Sequence, residues 1–183
     1  MITGPSGVGK GTLIRGLLQR CPGVQLSVSA TTRAPREGEV NGRDYHFLTE
    51  EQFATRVERG EFVEHAEYAG NRYGTLRSEL ERPAEGIVLE IDLQGARQVR
   101  ETLPGATQVF IAPPSVEDLE ARLRGRASDS PDQIARRLDA APTELAAKEE
   151  FSKIVVNDDL DTALGELVEL AARICGPDSR DLS

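Results

Sequence analysis

The stretch Gly4-Pro5-Ser6-Gly7-Val8-Gly9-Lys10-Gly11-Thr12 decides the fold of this chain. It contains G-x-x-x-x-G-K, the core of a phosphate-binding loop that follows a buried strand and opens a helix. The glycines let the backbone turn tightly, so that successive N–H groups can point at phosphate oxygens. Lys10 adds a positive charge for the phosphates, and a helix starting near it adds the positive end of its dipole. All nine residues are therefore candidate nucleotide-binding residues.

The loop departs from the strict motif at one position. Gly11 stands where the strict motif has Ser or Thr, and the hydroxyl comes one residue later, at Thr12. This G-K-G-T form resembles adenylate kinases, so the motif alone leaves open which hydroxyl approaches Mg²⁺. A glycine-rich turn that binds nothing is the alternative, and the complete glycine and lysine spacing argues against it.

Length and composition indicate a single globular domain. The chain has 183 residues, 38% hydrophobic and 29% charged, which is ordinary for such a domain. We expect a cytoplasmic protein without a membrane partner, because no apolar run approaches the roughly 20 residues of a membrane span and no signal peptide precedes the loop. Cys21 and Cys175 lack metal-ligand spacing. The net charge of −9 argues against nucleic-acid binding.

Apolar periodicity predicts alternating helices and strands around the loop. Only Met1-Ile2-Thr3 precede the loop, where a strand of about five residues is normal, so we expect the natural chain to start upstream. Further strands are predicted at 24–29, 86–92, 107–112 and 153–157. Helices are predicted from the loop to residue 20, and at 94–103, 116–126, 131–151 and 160–175, with Ser115 and Ser130 as caps.

Residues 33–75 interrupt this alternation with a small β-rich insert. Asn41-Gly42 favours a hairpin, and Thr49 with Gln52 forms a capping box for a helix that Gly60 ends. Strands are predicted at 44–48, 61–64, 66–69 and 72–75. The predicted division is a P-loop core of residues 1–32 and 76–176, with a lid at about 122–140, an insert of residues 33–75, and a tail of residues 177–183.

Five segments together resemble guanylate kinase, a nucleoside monophosphate kinase of the P-loop family. They are the loop itself, SVSATTRAPR (27–36), GEVNGRDY (38–45), GNRYGT (70–75) and LEIDLQG (89–95). The resemblance runs from Gly4 to about Cys175. It implies an α/β fold: a parallel sheet flanked by helices, with a small mixed α+β GMP-binding insert and a helical lid. The implied reaction of purine metabolism is transfer of the γ-phosphate of ATP to GMP with Mg²⁺, giving ADP and GDP.

The resemblance also implies a role for each matching residue. The GMP-binding residues are Ser29, Arg33, Arg36, Tyr45, Glu64, Tyr73, Thr75 and Glu90. The ATP-binding residues are those of the loop with Arg122 and Asn157. The catalytic residues are Lys10, Arg33, Arg126 and Arg137, and the metal residues are Thr12 and Asp92. Asp92 also ends an apolar strand, where an acid can support Mg²⁺ through water.

The chemistry of these residue types agrees with the implied roles. Two arginines and two tyrosines suit a dianionic phosphate, and a carboxylate such as Glu64 can accept both adjacent N–H donors of guanine. The attacking phosphate is largely ionised near neutral pH because its second pKa is about 6. No general base is therefore assigned, and neither His46 nor His65 receives a role.

Two other functions compete with this interpretation. Gly11 suggests another small-molecule kinase on the same scaffold, which Glu64 and the turn Tyr73-Gly74-Thr75 disfavour. The short first strand suggests a non-catalytic peptide-binding module, like the guanylate-kinase-like domains of scaffold proteins. The retained Lys10 and the arginines of the predicted site disfavour that module. The sequence leaves the oligomeric state open between monomer and homodimer.

Overall fold

The computed structural model describes residues 1–68, 70–125 and 131–175. Strands and helices alternate along the core, as the apolar pattern predicts. The strands are β1 (Ile2–Thr3), β2 (Val24–Leu26), β3 (Ala30–Thr31), β4 (His46–Phe47), β5 (Phe62–Tyr68), β6 (Asn71–Leu76), β7 (Gly86–Val88), β8 (Val109–Ala112) and β9 (Lys153–Val156). The helices are α1 (Lys10–Arg20), α2 (Glu50–Glu58), α3 (Leu93–Thr102), α4 (Val116–Arg124), α5 (Pro131–Ala146) and α6 (Leu160–Cys175). Short 3₁₀ segments lie at Arg77–Glu79 and Ala147–Glu150.

Five strands form a parallel sheet at the centre of the molecule. β1 pairs with β8, β8 with β9, and β2 with β7, all in parallel. The two groups join where the Ile2 N–H donates to Leu89 O (2.8 Å) and the Ile91 N–H donates to Ile2 O (3.3 Å). The order across the sheet is therefore β2, β7, β1, β8, β9. The predicted parallel α/β fold is confirmed, with the short β1 in the middle.

Helices cover both faces of this sheet. Side chains alternate along a strand, so Val109 and Ile111 of β8 pack with residues of α1, α4 and α6, whereas Phe110 and Ala112 pack with residues of α3. All four residues of β8 are buried. Burial on both faces explains why the strand reads as a continuous apolar run.

A second, mixed sheet carries the insert. Its order is β4-β3-β6-β5, with β3 parallel to β4, β3 antiparallel to β6, and β6 antiparallel to β5. Helix α2 packs on this sheet through Phe53, whose ring stacks on Phe62 with 4.4 Å between centroids. The insert sheet begins at Ala30, ahead of the boundary predicted at Arg33.

The strand predicted at 24–29 is too long, because β2 covers only Val24–Leu26. Residues 24–26 pair with β7 in the central sheet, and residues 30–31 pair with β4 and β6 in the insert sheet. Ala30 and Thr31 lie beyond the predicted strand, and both are buried. Pairing partners far along the chain decide where β2 ends and β3 begins.

The hairpin predicted at Asn41-Gly42 is also wrong. β4 pairs in parallel with β3, and Gly42 (φ 78°) instead turns a loop in which its N–H donates to Tyr45 O (2.8 Å). Conversely, the strands predicted at 61–64 and 66–69 are one strand, β5, which forms a hairpin with β6.

The predicted helix starts at Thr49 and Ser115 are confirmed. Thr49 Oγ1 accepts from the Gln52 N–H, and Gln52 Oε1 accepts from the Thr49 N–H. Ser115 Oγ accepts from the Asp118 N–H (3.0 Å). Helix α5 ends at Ala146, earlier than predicted, and its predicted cap Ser130 lies outside the described residues. Within the described parts of the chain, no helix is long and apolar enough to cross a membrane.

Candidate active site

The phosphate-binding loop has a backbone that only glycine fits at three positions. Gly4, Gly7 and Gly9 have φ angles of 144°, 84° and 101°. A Cβ on Gly4 would overlap the carbonyl oxygen of Ile111, so the loop lies directly against β8. Gly9 is the N-cap of α1 in the left-handed conformation, and the first turn of that helix carries no acidic side chain. The positive end of α1 therefore opens onto the loop.

Asn157 and Arg122 hold the phosphate-binding loop through hydrogen bonds. Asn157 is buried at the end of β9, and its Nδ2 donates to Val8 O (2.8 Å). Arg122 Nη2 donates to Asn157 O (2.9 Å), and its Nη1 reaches Val8 O at 3.4 Å. Both residues therefore fix the shape of the loop. Their implied contacts with ATP stay predictions.

Lys10 folds back over the loop that precedes it. Its Nζ donates to Gly4 O (2.6 Å) and Pro5 O (3.0 Å). Burial lowers the pKa of Lys10, and the carboxylates of Glu90, Glu144 and Asp92 oppose that shift. These three carboxylates therefore stabilise the charged form of the Lys10 ammonium group.

Helix α5 reaches the loop through two side chains on one face. Arg137 Nη1 donates to Ser6 Oγ, and Glu144 Oε2 accepts from the Ser6 N–H (3.2 Å). The spacing i, i+7 puts Arg137 and Glu144 on the same side of the helix. The sequence interpretation named Arg137 and missed Glu144, although that spacing was visible. Arg126, the other implied catalytic arginine of the lid, lies outside the described residues.

Glu64 and Thr75 form a buried pair between β5 and β6. They face each other across the hairpin, and Thr75 Oγ1 donates to Glu64 Oε1 (2.7 Å). Their exposed fractions are 5% and 0%. Burial raises the pKa of Glu64 to about 7, and the hydrogen bond from Thr75 only partly opposes the shift. The second oxygen, Oε2, lies against Gly95, where a Cβ would stand 2.6 Å from it.

Tyr45, Tyr73 and Arg33 form a cluster at the insert side of the site. The tyrosine rings lie edge to face with centroids 6.3 Å apart, and the Arg33 guanidinium lies 5.2 Å from the Tyr45 centroid. Glu39 binds Arg33 through two hydrogen bonds, of 2.9 and 3.0 Å, and also accepts from the Arg36 N–H (2.7 Å). The Arg33 ion pair holds the pKa of Glu39 below its usual value. The sequence interpretation missed Glu39, although it belongs to the segment GEVNGRDY.

Asp92 and Thr12, the implied metal residues, both have protein partners. Asp92 is the N-cap of α3, and its Oδ1 accepts from the Gly95 N–H (2.8 Å). Thr12 is exposed, and its hydroxyl accepts from Arg15 Nη2 (3.1 Å). Their implied roles at a metal stay predictions. Among the described residues, no three His, Cys, Asp or Glu side chains gather into a complete metal site.

A cleft of about 730 Å³ joins the loop to the insert. It opens where β1, β2 and β7 end, which is the usual ligand position of parallel α/β sheets. Its lining includes ten implied site residues: Gly4, Ser6, Lys10, Ser29, Tyr45, Glu64, Tyr73, Glu90, Asp92 and Arg137. Thr75 lies behind Glu64, Arg33 lies beside Tyr45, and Arg36 is exposed outside the lining. A second cavity of about 250 Å³ lies at the other end of the strands and is mainly apolar.

The cleft has two chemically different walls. One wall is a loop and helix end built for a polyphosphate, and the other carries a buried acid between two insert strands. This division suits an enzyme that positions a nucleotide polyphosphate on one side and a second small substrate on the other. Fold and site together define a P-loop nucleotide kinase.

Comparison with known proteins narrows that class. The family model described as guanylate kinase matches residues 1–173. A guanylate kinase of a Synechocystis strain is 57% identical over 173 residues, covering 93% of this chain and 91% of that protein. One of a Synechococcus strain is 56% identical over 170 residues, covering 91% and 90%. The crystal structure of guanylate kinase from Anaplasma phagocytophilum has a TM-score of 0.75 at 32% identity, covering 98% of this chain and 88% of that one. The chain belongs to the guanylate kinase family.

Proposed function

We propose that this chain transfers the γ-phosphoryl group of ATP to GMP by positioning and charge neutralisation, with Mg²⁺ and without a general base. The observation that carries the proposal is the single cleft that holds Lys10 and the glycine loop on one side and the buried Glu64–Thr75 pair on the other. Membership of the guanylate kinase family supports the two substrates.

On the donor side, the loop and the start of α1 supply fixed positive charge. Backbone N–H groups of the loop bind phosphate oxygens, and Lys10 exchanges its carbonyl partners for the β- and γ-phosphates. Arg137, which reaches Ser6 from α5, adds charge to the transferring group. We assign Arg126 the same role from the family resemblance alone.

On the acceptor side, Glu64 recognises the guanine base of GMP. Guanine presents N1–H and N2–H₂ donors side by side, and the ionised carboxylate can accept both while Thr75 holds Oε1 in place. Adenine lacks that paired donor edge and would leave a buried carboxylate incompletely paired. Sites of this kind reject the wrong substrate by factors of up to about 10⁴. Ser29 and Glu90, which line the same cleft, complete the guanosine contacts.

The GMP phosphate binds at the tyrosine–arginine cluster. Tyr45 and Tyr73 donate through their hydroxyls, and Arg33 and Arg36 supply charge. Arg33 is held by Glu39 through two hydrogen bonds, so the phosphate competes with Glu39 for that guanidinium. A dianion with arginines and tyrosines around it needs no base to attack, because its second pKa is about 6.

The charge balance of the cleft supports a divalent cation. Its described lining carries five carboxylates, from Asp44, Glu64, Glu90, Asp92 and Glu144, against three basic side chains, from Lys10, Arg15 and Arg137. Such a lining disfavours a bare polyphosphate and favours a nucleotide that brings a metal with it. Mg²⁺ typically takes one or two carboxylates plus phosphate oxygens. Asp92, through its free oxygen or a water, and Thr12 would hold it, and it would neutralise charge on the transferring phosphate.

A substrate panel tests the proposal. ADP release is followed with ATP and Mg²⁺ against GMP, AMP, CMP and UMP, and again with EDTA in excess over Mg²⁺. We expect turnover with GMP to exceed that with each other monophosphate by at least about 100-fold, and to stop with EDTA. Equal turnover with AMP would overturn the assigned specificity, and full activity in EDTA would overturn the metal. The cytoplasmic location and the oligomeric state stay predictions.

A further inference from the structure

Strand β5 carries Glu64 at the edge of its sheet. In the order β4-β3-β6-β5, it pairs with β6 on one side only. The N–H and C=O groups on its other edge need partners from elsewhere, because unpaired backbone groups are costly to bury. The residues on either side of Glu64 find those partners on the core helix α3.

The side chain of Gln98 takes the place of a neighbouring strand. Its Oε1 accepts from the His65 N–H (3.0 Å), and its Nε2 donates to His65 O (2.7 Å). One carboxamide thus satisfies both backbone groups of the residue after Glu64. On the other side of Glu64, Thr102 Oγ1 donates to Val63 O (3.0 Å).

Gly95 completes the contact between helix and strand. Gly95, Gln98 and Thr102 are spaced i, i+3 and i+7, and so lie on one face of α3. Because Glu64 Oε2 stands where a Cβ of Gly95 would collide with it, the carboxylate lies directly against the first turn of the helix. The position of β5 along α3 therefore determines where the Glu64 oxygens stand.

We propose that Gln98 is a positioning residue for guanine recognition. Its carboxamide holds β5 at the register along α3 at which Glu64 Oε1 meets Thr75 and the carboxylate faces the cleft. The same helix begins at Asp92, which lines that cleft. Helix α3 thus contacts Glu64 of the insert and is capped by Asp92 of the core. The inference rests on the proposed role of Glu64 in reading guanine.

Two variants of Gln98 separate the hydrogen bonds from the packing. Gln98→Leu removes both hydrogen bonds at similar size, and Gln98→Glu keeps the acceptor for the His65 N–H but loses the donor to His65 O. We expect Gln98→Leu to lower kcat/KM for GMP about 10-fold and to reduce the preference for GMP over AMP. The KM for ATP and the kcat at saturating GMP should stay within about twofold, since the donor side is untouched. Gln19→Leu, on an exposed position of α1, is the matched control.

A double-variant comparison shows whether Gln98 acts through Glu64. In a Glu64→Gln background, Gln98→Leu should change kcat/KM for GMP by less than about twofold. An undiminished effect there, or an equal loss in the KM for ATP, would overturn the positioning role. If Gln98→Leu does not fold, Gln98→Glu decides the question by the same comparison.

The two proposals fail in distinguishable ways. If Glu64→Gln leaves the preference for GMP over AMP unchanged, the role of Glu64 is wrong. If Glu64→Gln abolishes that preference while Gln98→Leu preserves it, only the positioning role of Gln98 is wrong.

Discussion

The surroundings of the Glu64 carboxyl group destabilise its ionised form. It is buried between two strands, Asp92 adds a nearby like charge, and the hydroxyl of Thr75 stabilises the ionised form only in part. Its pKa therefore rises from 4.5 to about 7. In the proposed function, guanine binding needs the ionised form, since a protonated acid can accept only one of the two donors. Protonation of this one residue would then control recognition close to neutral pH.

We predict that kcat/KM for GMP falls as the pH decreases from 7.5 to 6.0. With a pKa of about 7, the ionised fraction of Glu64 falls about eightfold over that range, and kcat/KM follows the free enzyme. The measurement is a pH profile of kcat/KM for GMP and for the Glu64→Gln variant. The variant keeps only the smaller titration of the GMP phosphate, whose second pKa is about 6. Identical profiles for both proteins would exclude Glu64 as the titrating group.

The raised pKa of Glu64 also makes the free energy of unfolding depend on pH. Its effect on stability decreases as the pH rises, whereas kcat/KM is expected to increase. A carboxyl group whose pKa is raised in the folded state binds its proton more tightly there than in the unfolded chain. The contribution of Glu64 to the free energy of unfolding is therefore greatest below about pH 4.5 and is lost as the pH rises through about 7. The residue costs stability at the pH where it is functional.

Single residues differ in how far the sequence predicts them. Gly4 and Gly9 were predictable because they are the fixed glycines of the loop motif, and both have positive φ angles. Glu39 and Gln98 were missed, since an ion pair across a loop and a side chain bonded to a distant strand follow no spacing rule. They depend on chain segments that meet only in the folded molecule.

At the scale of the elements, the start of α2 is specified locally. Thr49 and Gln52 exchange side chain-to-backbone hydrogen bonds of 3.1 and 2.9 Å, and Phe53 in the next position packs against Phe62. The capping box was predicted because it depends on residues within one turn. The helix packs on the insert through Phe53, with Val57 beside it.

We predict that Thr49→Ala lowers the free energy of unfolding by about 1 kcal/mol, because α2 loses its N-cap. Thermal denaturation should show a decrease in Tm of about 2–4 °C. Thr55→Ala, in the same helix, is the control: its hydroxyl only bonds back to Glu51 O (2.9 Å), and alanine favours a helix. A Tm decrease as large for Thr55→Ala would show that the cap is not responsible.

At the scale of the whole molecule, α5 contacts the phosphate-binding loop. Arg137 donates to Ser6 Oγ, and Glu144 accepts from the backbone of the same residue. The arginine therefore stands beside the loop proposed to bind the transferring phosphate, across the cleft from the proposed GMP site. Charge placed there stabilises the transition state more than it stabilises bound GMP.

We predict that Arg137→Ala lowers kcat by on the order of 100-fold and changes the KM for GMP far less. Arg136→Ala removes the neighbouring, exposed arginine of α5 and should leave both constants within about twofold. Steady-state kinetics distinguish the two outcomes. A large rise in the KM for GMP with little change in kcat would remove Arg137 from the transition-state role.

The sequence by itself determined the loop, the helix caps, the apolar strands and the family motifs, because each is a pattern of neighbouring residues. Only the tertiary structure decided that β2 joins the central sheet while β3, shortly after it, joins the insert sheet, and that β4 pairs with β3 in parallel instead of closing a hairpin. It also decided that Gln98 bonds to the backbone of His65 in β5 and that Asn157 bonds to the loop. In each case the partner lies far along the chain. A hydrogen-bonding or burial pattern states that a residue needs a partner, and only the folded chain determines which one it finds.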